Sequence, residues 1–347
     1  MATYSYHAAF YSTPHIRSKT CFFVLILGVN GERCSSPLLL FTYLSELMKT
    51  FKGIPYWLHL GLFAAISFLS ACSSTPKMAT ITHQPLDLSK PEDNMTAFLK
   101  MRISTVENEE VYFFASGKIY SFVPGERDRP LFDFEMYNVG KIQKIEGGYQ
   151  MLTREVGFYK DLKTGQYLAS WENPWTNKTE EVIHVWNDPV NQKFLMDGRG
   201  GKWGVSYTEM GDRVAMNTDI FLTYPSPLTV AEYPENAASD TYEAAELFQF
   251  FARKADLDNP AITNAFTEVS WTRIGPWLPW MGMGQKPGGL VYQTRGYKVK
   301  SWEELPKQMQ DFVMNNYPEF KHAPDTAVGS NETSWTYFKK RKTAQKN

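Results

Sequence analysis

Glu110-Val111-Tyr112-Phe113-Phe114-Ala115-Ser116-Gly117-Lys118-Ile119-Tyr120-Ser121-Phe122-Val123 decides the fold class. Glu110–Ala115 and Lys118–Val123 are runs of aromatic and β-branched residues, the types that fit a pleated, half-buried surface. Ser116-Gly117 between them is a two-residue hairpin signal, so the expectation is two antiparallel strands joined by a tight turn. Large apolar groups stand on both parities: Tyr112 and Phe114 on one face, Val111 and Phe113 on the other. A strand with both faces covered belongs to a sheet that curls round an apolar interior and is packed against from outside.

The same residue types continue downstream. Leu131–Val139, Lys141–Glu146 and Tyr149–Tyr159 read as strands, with Gly147-Gly148 before the last of them. Asp161-Leu162-Lys163-Thr164-Gly165 is turn chemistry, after which Gln166–Trp171 returns antiparallel. Thr179–Trp186, Lys193–Met196, Trp203–Thr208 and Val214–Thr223 extend the meander, and Val269–Arg273 and Leu290–Gly296 close it. Ser239–Ala255 fits two periods. Ala244, Leu247, Phe248, Phe251 and Ala255 fit one helical face; Tyr242, Ala244, Phe248, Phe250 and Ala252 fit one strand face. The extended neighbours favour the strand. No parallel crossover helix intervenes, so the class is mainly β: an antiparallel barrel of lipocalin type, or a sandwich. A short helix at Met95–Met101, capped by Asp93 or Asn94, precedes it. Near the end, Ser301 and Glu304 match a capping box, but Pro306 favours a helix beginning there, with Leu305, Met309, Phe312 and Val313 covering the sheet.

Upstream, Leu69-Ser70-Ala71-Cys72 resembles a bacterial lipobox. Met48, Lys49, Lys52 and the apolar run Ile54–Leu69 supply the rest of a signal peptide. The expected organisation is a leader or start-site artefact over 1–47, a signal peptide over 48–71, a flexible tether over 72–91, one β domain over 92–324 and a polar tail over 325–347. Cys72 would be acylated, which gives a membrane partner through a lipid anchor. Ser73 after the cysteine implies an outer-membrane lipoprotein facing the periplasm. Lys339-Lys340-Arg341-Lys342 in the tail reads as a solvated charge run.

The whole chain carries 36 Lys and Arg against 37 Asp and Glu; removing residues 1–71 takes five bases and two acids with it and leaves a formal net charge of −4. That balance lacks the basic footprint phosphate neutralisation needs, which argues against nucleic acid as a partner. Cys21 and Cys34 precede the cleavage point and Cys72 is the acylated residue, so no thiol remains for catalysis or disulfides. His83, His184 and His322 are the histidines after Cys72, too few for a histidine-rich zinc site. No metal and no cofactor is implied.

Two constellations carry candidate chemistry. In the first, Trp171-Glu172-Asn173-Pro174-Trp175 is followed by His184-Val185-Trp186-Asn187-Asp188-Pro189. His184 can serve as general acid or base, or stand as a buried histidine bonded to a backbone carbonyl. Arg154 and Glu155 fall on opposite faces of their strand, so they share no site unless it bulges. The second runs from Trp271 to Gly284, with Arg273, Trp277, Trp280, Met281 and Met283. It reads as a core plug, a lid over a cavity or a partner surface.

Tyr149–Gly157, Trp171–Trp175, His184–Asn191 and Ser270–Met283 together resemble a bacterial family of unknown function, DUF1838, over roughly Asp93–Pro324. The resemblance implies one contiguous domain and no stated activity. The functional expectation is a lipid-anchored envelope protein that binds a hydrophobic or amphipathic small molecule in an aromatic-lined cavity, with Trp171, Trp175, Trp186, Asn187, Trp271, Trp277 and Trp280 as lining. Two alternatives stand beside it. One is an enzyme using His184, with Arg154 or Arg273 placing an anionic substrate and Glu155 nearby; the other is an envelope interaction module.

Overall fold

The computed structural model describes residues 84–198 and 202–345. The leader, the signal peptide, Cys72 and the first part of the tether lie outside the described residues. The rest of the tether is already part of the fold: the Leu86 amide donates to Asp258 Oδ1 at 2.9 Å, and Leu88 is buried.

The first helix, α1 (Pro91–Arg102), starts with proline in its first turn, where a missing N–H costs nothing. Glu92 and Asp93 at its start and Lys100 and Arg102 at its end suit the helix dipole. Neither expected cap acts. Asn94 is instead buried inside the helix, where its Nδ2 donates to the Leu88 and Val205 carbonyls and its Oδ1 accepts from Trp203 Nε1 and the Val205 amide.

Eleven strands follow. They are β1 (Val111–Phe122), β2 (Arg129–Ile145), β3 (Gly148–Lys160), β4 (Ser170–Glu172), β5 (Thr179–Glu181), β6 (Val185–Leu195), β7 (Ser206–Met210), β8 (Arg213–Pro225), β9 (Thr241–Arg253), β10 (Glu268–Gly275) and β11 (Gly289–Val299). Nine form one antiparallel half-barrel in the order β6-β3-β2-β1-β11-β10-β9-β8-β7, and β4 pairs with β5 separately. The mainly antiparallel β class holds. It is one curled sheet, with no second sheet facing it as in a sandwich.

Ser116-Gly117 is not a turn. Residues 111–122 run as one strand, paired with β2 on one side and β11 on the other. Gly117 answers to its neighbour: a Cβ there would lie 2.0 Å from the Gln293 carbonyl oxygen. Glycine in a strand marks such close backbone approach as readily as it marks a turn. The two strands expected over 131–146 are likewise one, β2. The region 239–255 is the strand β9, as its flanks suggested.

Register divides the sheet into two faces. Phe113, Ala115, Gly117 and Ile119 of β1 align with Asn138, Met136, Phe134 and Phe132 of β2. These point inward, because Phe98 of α1 touches Phe194 of β6 at 5.3 Å and Phe250 of β9 at 6.2 Å between ring centroids. Those strands stand six positions apart in the sheet, so one side chain meets both only if the sheet wraps round it. α1 therefore fills one end of the trough.

The outer face of β1, β2, β3 and β6 lies under a cover made of residues 302–322. It comprises a 3-10 turn at Trp302–Glu304, α3 (Lys307–Asn316) and a second 3-10 turn at Pro318–Lys321; α2 (Lys254–Asp258) is a single turn after β9. Tyr112 and Tyr137 hydroxyls donate to the Lys321 and Phe320 carbonyls, tying the cover down.

The expected polar tail is replaced by a helix, α4 (Ser334–Ala344), with Thr333 and Thr336 forming its capping box. Trp335, Tyr337 and Phe338 are buried in the main core. α4 bridges the open side of the half-barrel. The Glu332 amide just before it bonds the Pro189 carbonyl of β6, and Lys339 Nζ reaches the Pro227 carbonyl after β8. The basic run is ion-paired: Lys339 with Glu232, Lys340 with Glu332 and Arg341 with Glu181.

Candidate functional site

The inner face at the end away from α1 carries charge where the strand pattern calls for apolar residues. β10 turns Trp271 and Arg273 inward, β9 turns Tyr242, Ala244, Glu246 and Phe248, and β11 turns Tyr292. Arg273 Nη2 donates to the Tyr242 hydroxyl at 2.8 Å. Its guanidinium carbon lies 5.2 Å from the Tyr292 ring centroid and 5.5 Å from that of Trp335. Nε stands 3.5 Å from Glu246 Oε1, too far for a good hydrogen bond. Nη1 is buried without any acceptor, although the side chain is only 7% exposed. Burial disfavours the Arg273 cation, but Tyr242, Tyr292 and Glu246 outweigh it and push its pKa above the ordinary value.

Glu246 is largely enclosed by protein, with 22% of its side-chain surface accessible. Burial pushes its carboxyl above the ordinary value, with Arg273 and Trp271 pulling the other way. Trp271 Nε1 lies near that carboxylate without completing a hydrogen bond. Across the trough, burial pushes Glu155 of β3 up to about 7. Glu246 adds to the shift, while Arg102 of α1 and Asn187 of β6 oppose it. Asn187 Oδ1 is also buried and unpartnered. Two buried acids thus face each other across the trough, Glu246 beside Arg273 and Glu155 near Arg102 of α1.

A cavity of about 730 Å³ opens at this end of the strands. Tyr242, Gly275 and Trp335, which surround the Arg273 guanidinium, share its lining with Phe122, Phe221 and Ile274. Gly275 makes room for the guanidinium itself, since a Cβ there would lie 2.8 Å from Nη2. A second cavity, about 750 Å³, lies at the foot of α1 against Leu86, Leu99 and Tyr149. The ammonium beside it, Lys100 Nζ, is already satisfied by the Leu257 and Asn259 carbonyls.

The loop Trp277–Met283 packs as a plug. Trp277, Leu278, Trp280, Met281 and Met283 are buried, and Trp280 meets Phe132, Tyr159 and Trp171 with centroids 5.3–6.0 Å apart. Asn173 Nδ2 holds the Met281 carbonyl and Asn236 Nδ2 the Pro279 carbonyl. Gly282 and Gly284 have φ values of 62° and 50°, which the turn requires. Trp175 stands at the outer edge, with Nε1 on Glu126 and Arg129 over its ring.

The residues expected to cooperate in catalysis are separated. His184 lies in an aromatic box of Phe158, Tyr159, Tyr167 and Phe312. Its Nδ1 accepts from the Tyr159 amide and does not donate to a backbone carbonyl as expected, and burial lowers its pKa to about 4. The ring is therefore neutral with its proton on Nε2. Tyr159 and Tyr292 stand between it and Arg273, their hydroxyls 3.4 Å apart. Arg154 points outward and pins the cover: Nε faces Asp188 Oδ2 at 2.9 Å, and Nη1 donates to the Glu319 and His322 carbonyls. Trp186 stacks beneath the same cover, against Tyr317 and Phe320. The bulge in the β3–β6 pairing lies between Thr153 and Glu155, and Arg154 and Glu155 still face opposite ways.

The structure thus brings together Glu155, Asn187, Trp271, Arg273 and Trp280, and leaves His184, Arg154 and Trp186 in the outer layer. Sequence reasoning missed Arg102, Tyr242, Glu246, Tyr292 and Trp335. Glu246 had a readable signal, as the one acid on the strand face Tyr242, Ala244, Phe248, Phe250, Ala252. Among the described residues no group of three or more His, Cys, Asp or Glu side chains is placed to hold a metal ion, and no helix is long and apolar enough to cross a membrane.

A model of proteins of unknown function, DUF1838, matches residues 108–342. The match runs past Pro324 and takes in α4. No curated protein matches the chain.

Proposed function

We propose, for a chain that belongs to the DUF1838 family of proteins of unknown function, that it binds an amphipathic small molecule at the Arg273 end of the half-barrel. One observation carries the reading: the curled sheet opens at this end into a cavity rimmed by Phe122, Phe221, Ile274 and Trp335, with Tyr242 on its wall. Ligand sites are mostly apolar clefts with a few placed polar groups, and the Tyr242 hydroxyl, held by Arg273, supplies one here. Native mass spectrometry of the protein purified from its own source should show a retained ligand. An empty protein with no thermal shift against lipids and terpenoids overturns the proposal.

The same reading includes acylation at Cys72 and attachment to the outer membrane, facing the periplasm, supported by the lipobox-like residues 69–72. Metabolic labelling with an alkyne fatty acid should mark the wild type and leave Cys72→Ala unmarked. A labelled Cys72→Ala chain overturns the anchor.

A further inference from the structure

Resting on the binding reading above, we infer that the ligand is a single-chain amphiphile with an uncharged, hydroxylated head group, its chain laid across the strands. Register places the apolar part. Phe221 of β8 faces Ala245 of β9, Ala245 faces Ile274 of β10, Ile274 faces Val291 of β11, and Val291 faces Tyr120 of β1. This row lies on the outer side of the sheet, because the residues next along the strands, Ala244, Arg273 and Tyr292, point inward. Phe221 is 75% exposed and Ile274 45%, and both line the cavity together with Ala245. Five strands give the row a length of about 19 Å at the usual strand spacing. It is also narrow. Towards the middle of the strands it is bordered by Asp219, Thr272, Gln293 and Lys118, with Leu247 the one apolar break, and towards the strand ends by Thr223 and Glu243. A long, narrow apolar strip suits an extended chain better than a broad ring system.

The head group follows from the charge of the lining. Among the described residues it holds one carboxylate, Glu243, and no Lys, Arg or His. Arg273 lies behind Tyr242 and Gly275 and is not part of it. An anionic head would meet Glu243 and no cation. A cationic head would gain a single solvent-exposed carboxylate, which is worth about fivefold in affinity at most. Hydroxyls are more plentiful: Thr223 stands directly opposite Glu243, Thr241 precedes it on the same face, and Ser226 and Ser239 flank the connection between β8 and β9. A sugar or glycerol head can engage several of these groups at once, and its O–H donors meet in Glu243 a charged acceptor, the stronger kind.

The test uses the full chain and five probes below their micelle concentrations: octyl, decyl and dodecyl maltoside, dodecanoate and dodecyltrimethylammonium. Tryptophan fluorescence follows binding, with Trp335 in the lining as reporter. Dodecyl maltoside should bind about tenfold tighter than dodecanoate, as two or more net hydrogen bonds give, and tighter than the ammonium probe. Each CH₂ added between octyl and dodecyl should tighten binding by up to about fourfold. Phe221→Asp and Ile274→Asp should each weaken dodecyl maltoside by about tenfold or more, while Phe266→Asp, at an exposed aromatic outside the cavity, should leave it unchanged. A charged probe that binds as tightly as dodecyl maltoside, or affinity independent of chain length, overturns this inference and leaves the cavity reading standing. So does a loss at Phe266 equal to that at Phe221 and Ile274, which marks adsorption elsewhere. Binding of none of the five overturns both. If one of the two cavity variants does not fold, the other decides.

Discussion

Two arginines, one on each face of the same sheet, are used differently. Arg154 on the outer face donates from Nη1 to the Glu319 and His322 carbonyls and sets Nε in ion-pair contact with Asp188, without completing a hydrogen bond there, and so locks the 302–322 cover in place. His184, Tyr112 and Tyr137 in that layer are partnered too. Arg273 on the inner face has one good hydrogen bond, to Tyr242, a long contact with Glu246, two aromatic rings against its guanidinium and one buried N–H unanswered. A buried hydrogen-bonding group left unmade costs about 1–3 kcal/mol. The outer arginine therefore ties two layers together, whereas the inner one is held mainly by aromatic side chains.

Four experiments can break or sharpen that contrast. The largest effect is expected at the plug. Trp280→Ala should destabilise the protein by about 3–5 kcal/mol in denaturant unfolding, the usual cost of emptying a large aromatic site. A loss below about 1 kcal/mol would mean the 277–283 loop is a loose lid and not core.

The two layers should also titrate against each other. His184 is neutral when folded, so the unfolded chain takes up a proton near pH 6.5 that the folded chain refuses until about pH 4. Its contribution is full above 6.5 and is lost as pH falls towards 4, by about 3 kcal/mol at 1.36 kcal/mol per pKa unit. Glu155 does the reverse. Its folded pKa of about 7 lies above the ordinary 4.5, so stability is full below 4.5 and is lost by about 3 kcal/mol as pH rises to 7. Wild-type stability should therefore be nearly flat from pH 4 to 7. Glu155→Gln should leave it rising with pH, and His184→Phe should leave it falling. Parallel profiles for the two variants would refute the assignment.

Apolar replacement should distinguish the arginines. Arg154→Met should cost about 2 kcal/mol through lost charge-assisted bonds to the cover. Replacing the inner pair together, Arg273→Met with Glu246→Leu, should leave stability within about 1 kcal/mol or raise it, since an imperfect buried ion pair seldom outweighs its desolvation. Urea unfolding of both variants checks this, and a larger loss at the inner pair would make it structural. The smallest effect is expected at the surface of α4. Arg341→Ala breaks a half-exposed pair with Glu181 and should shift stability by no more than about 0.5 kcal/mol.

Local pattern made much of this legible. Residue type and parity located the strands, and β9 emerged despite its helical alias. The misreadings have physical reasons. Gly117 looks like a turn because a close approach to Gln293 and a hairpin ask for the same residue. The helix α4 was hidden because Trp335 and Phe338 give only one helical spacing before a basic run whose charges pair with distant acids. Arg273 and Trp271 were visible as candidates, and so were Asn187 and Glu155. Their assembly was not, because they come from β10, β6 and β3, and only the curl of the sheet brings those walls to face one another.

The pairing of β1 with β11 has a consequence for how the chain is made. The first long strand lies at the middle of the sheet beside the last, and residues 112–122 find that neighbour only once residues 289–299 exist. A ribosome-bound or truncated chain ending earlier would present β1 as a bare edge lined with Tyr112, Phe114 and Tyr120, the kind of edge that recruits strands from other molecules. Truncations before residue 289 should therefore aggregate and not fold as smaller half-barrels, and the intact chain should fold slowly for its size because its central contact spans most of its length.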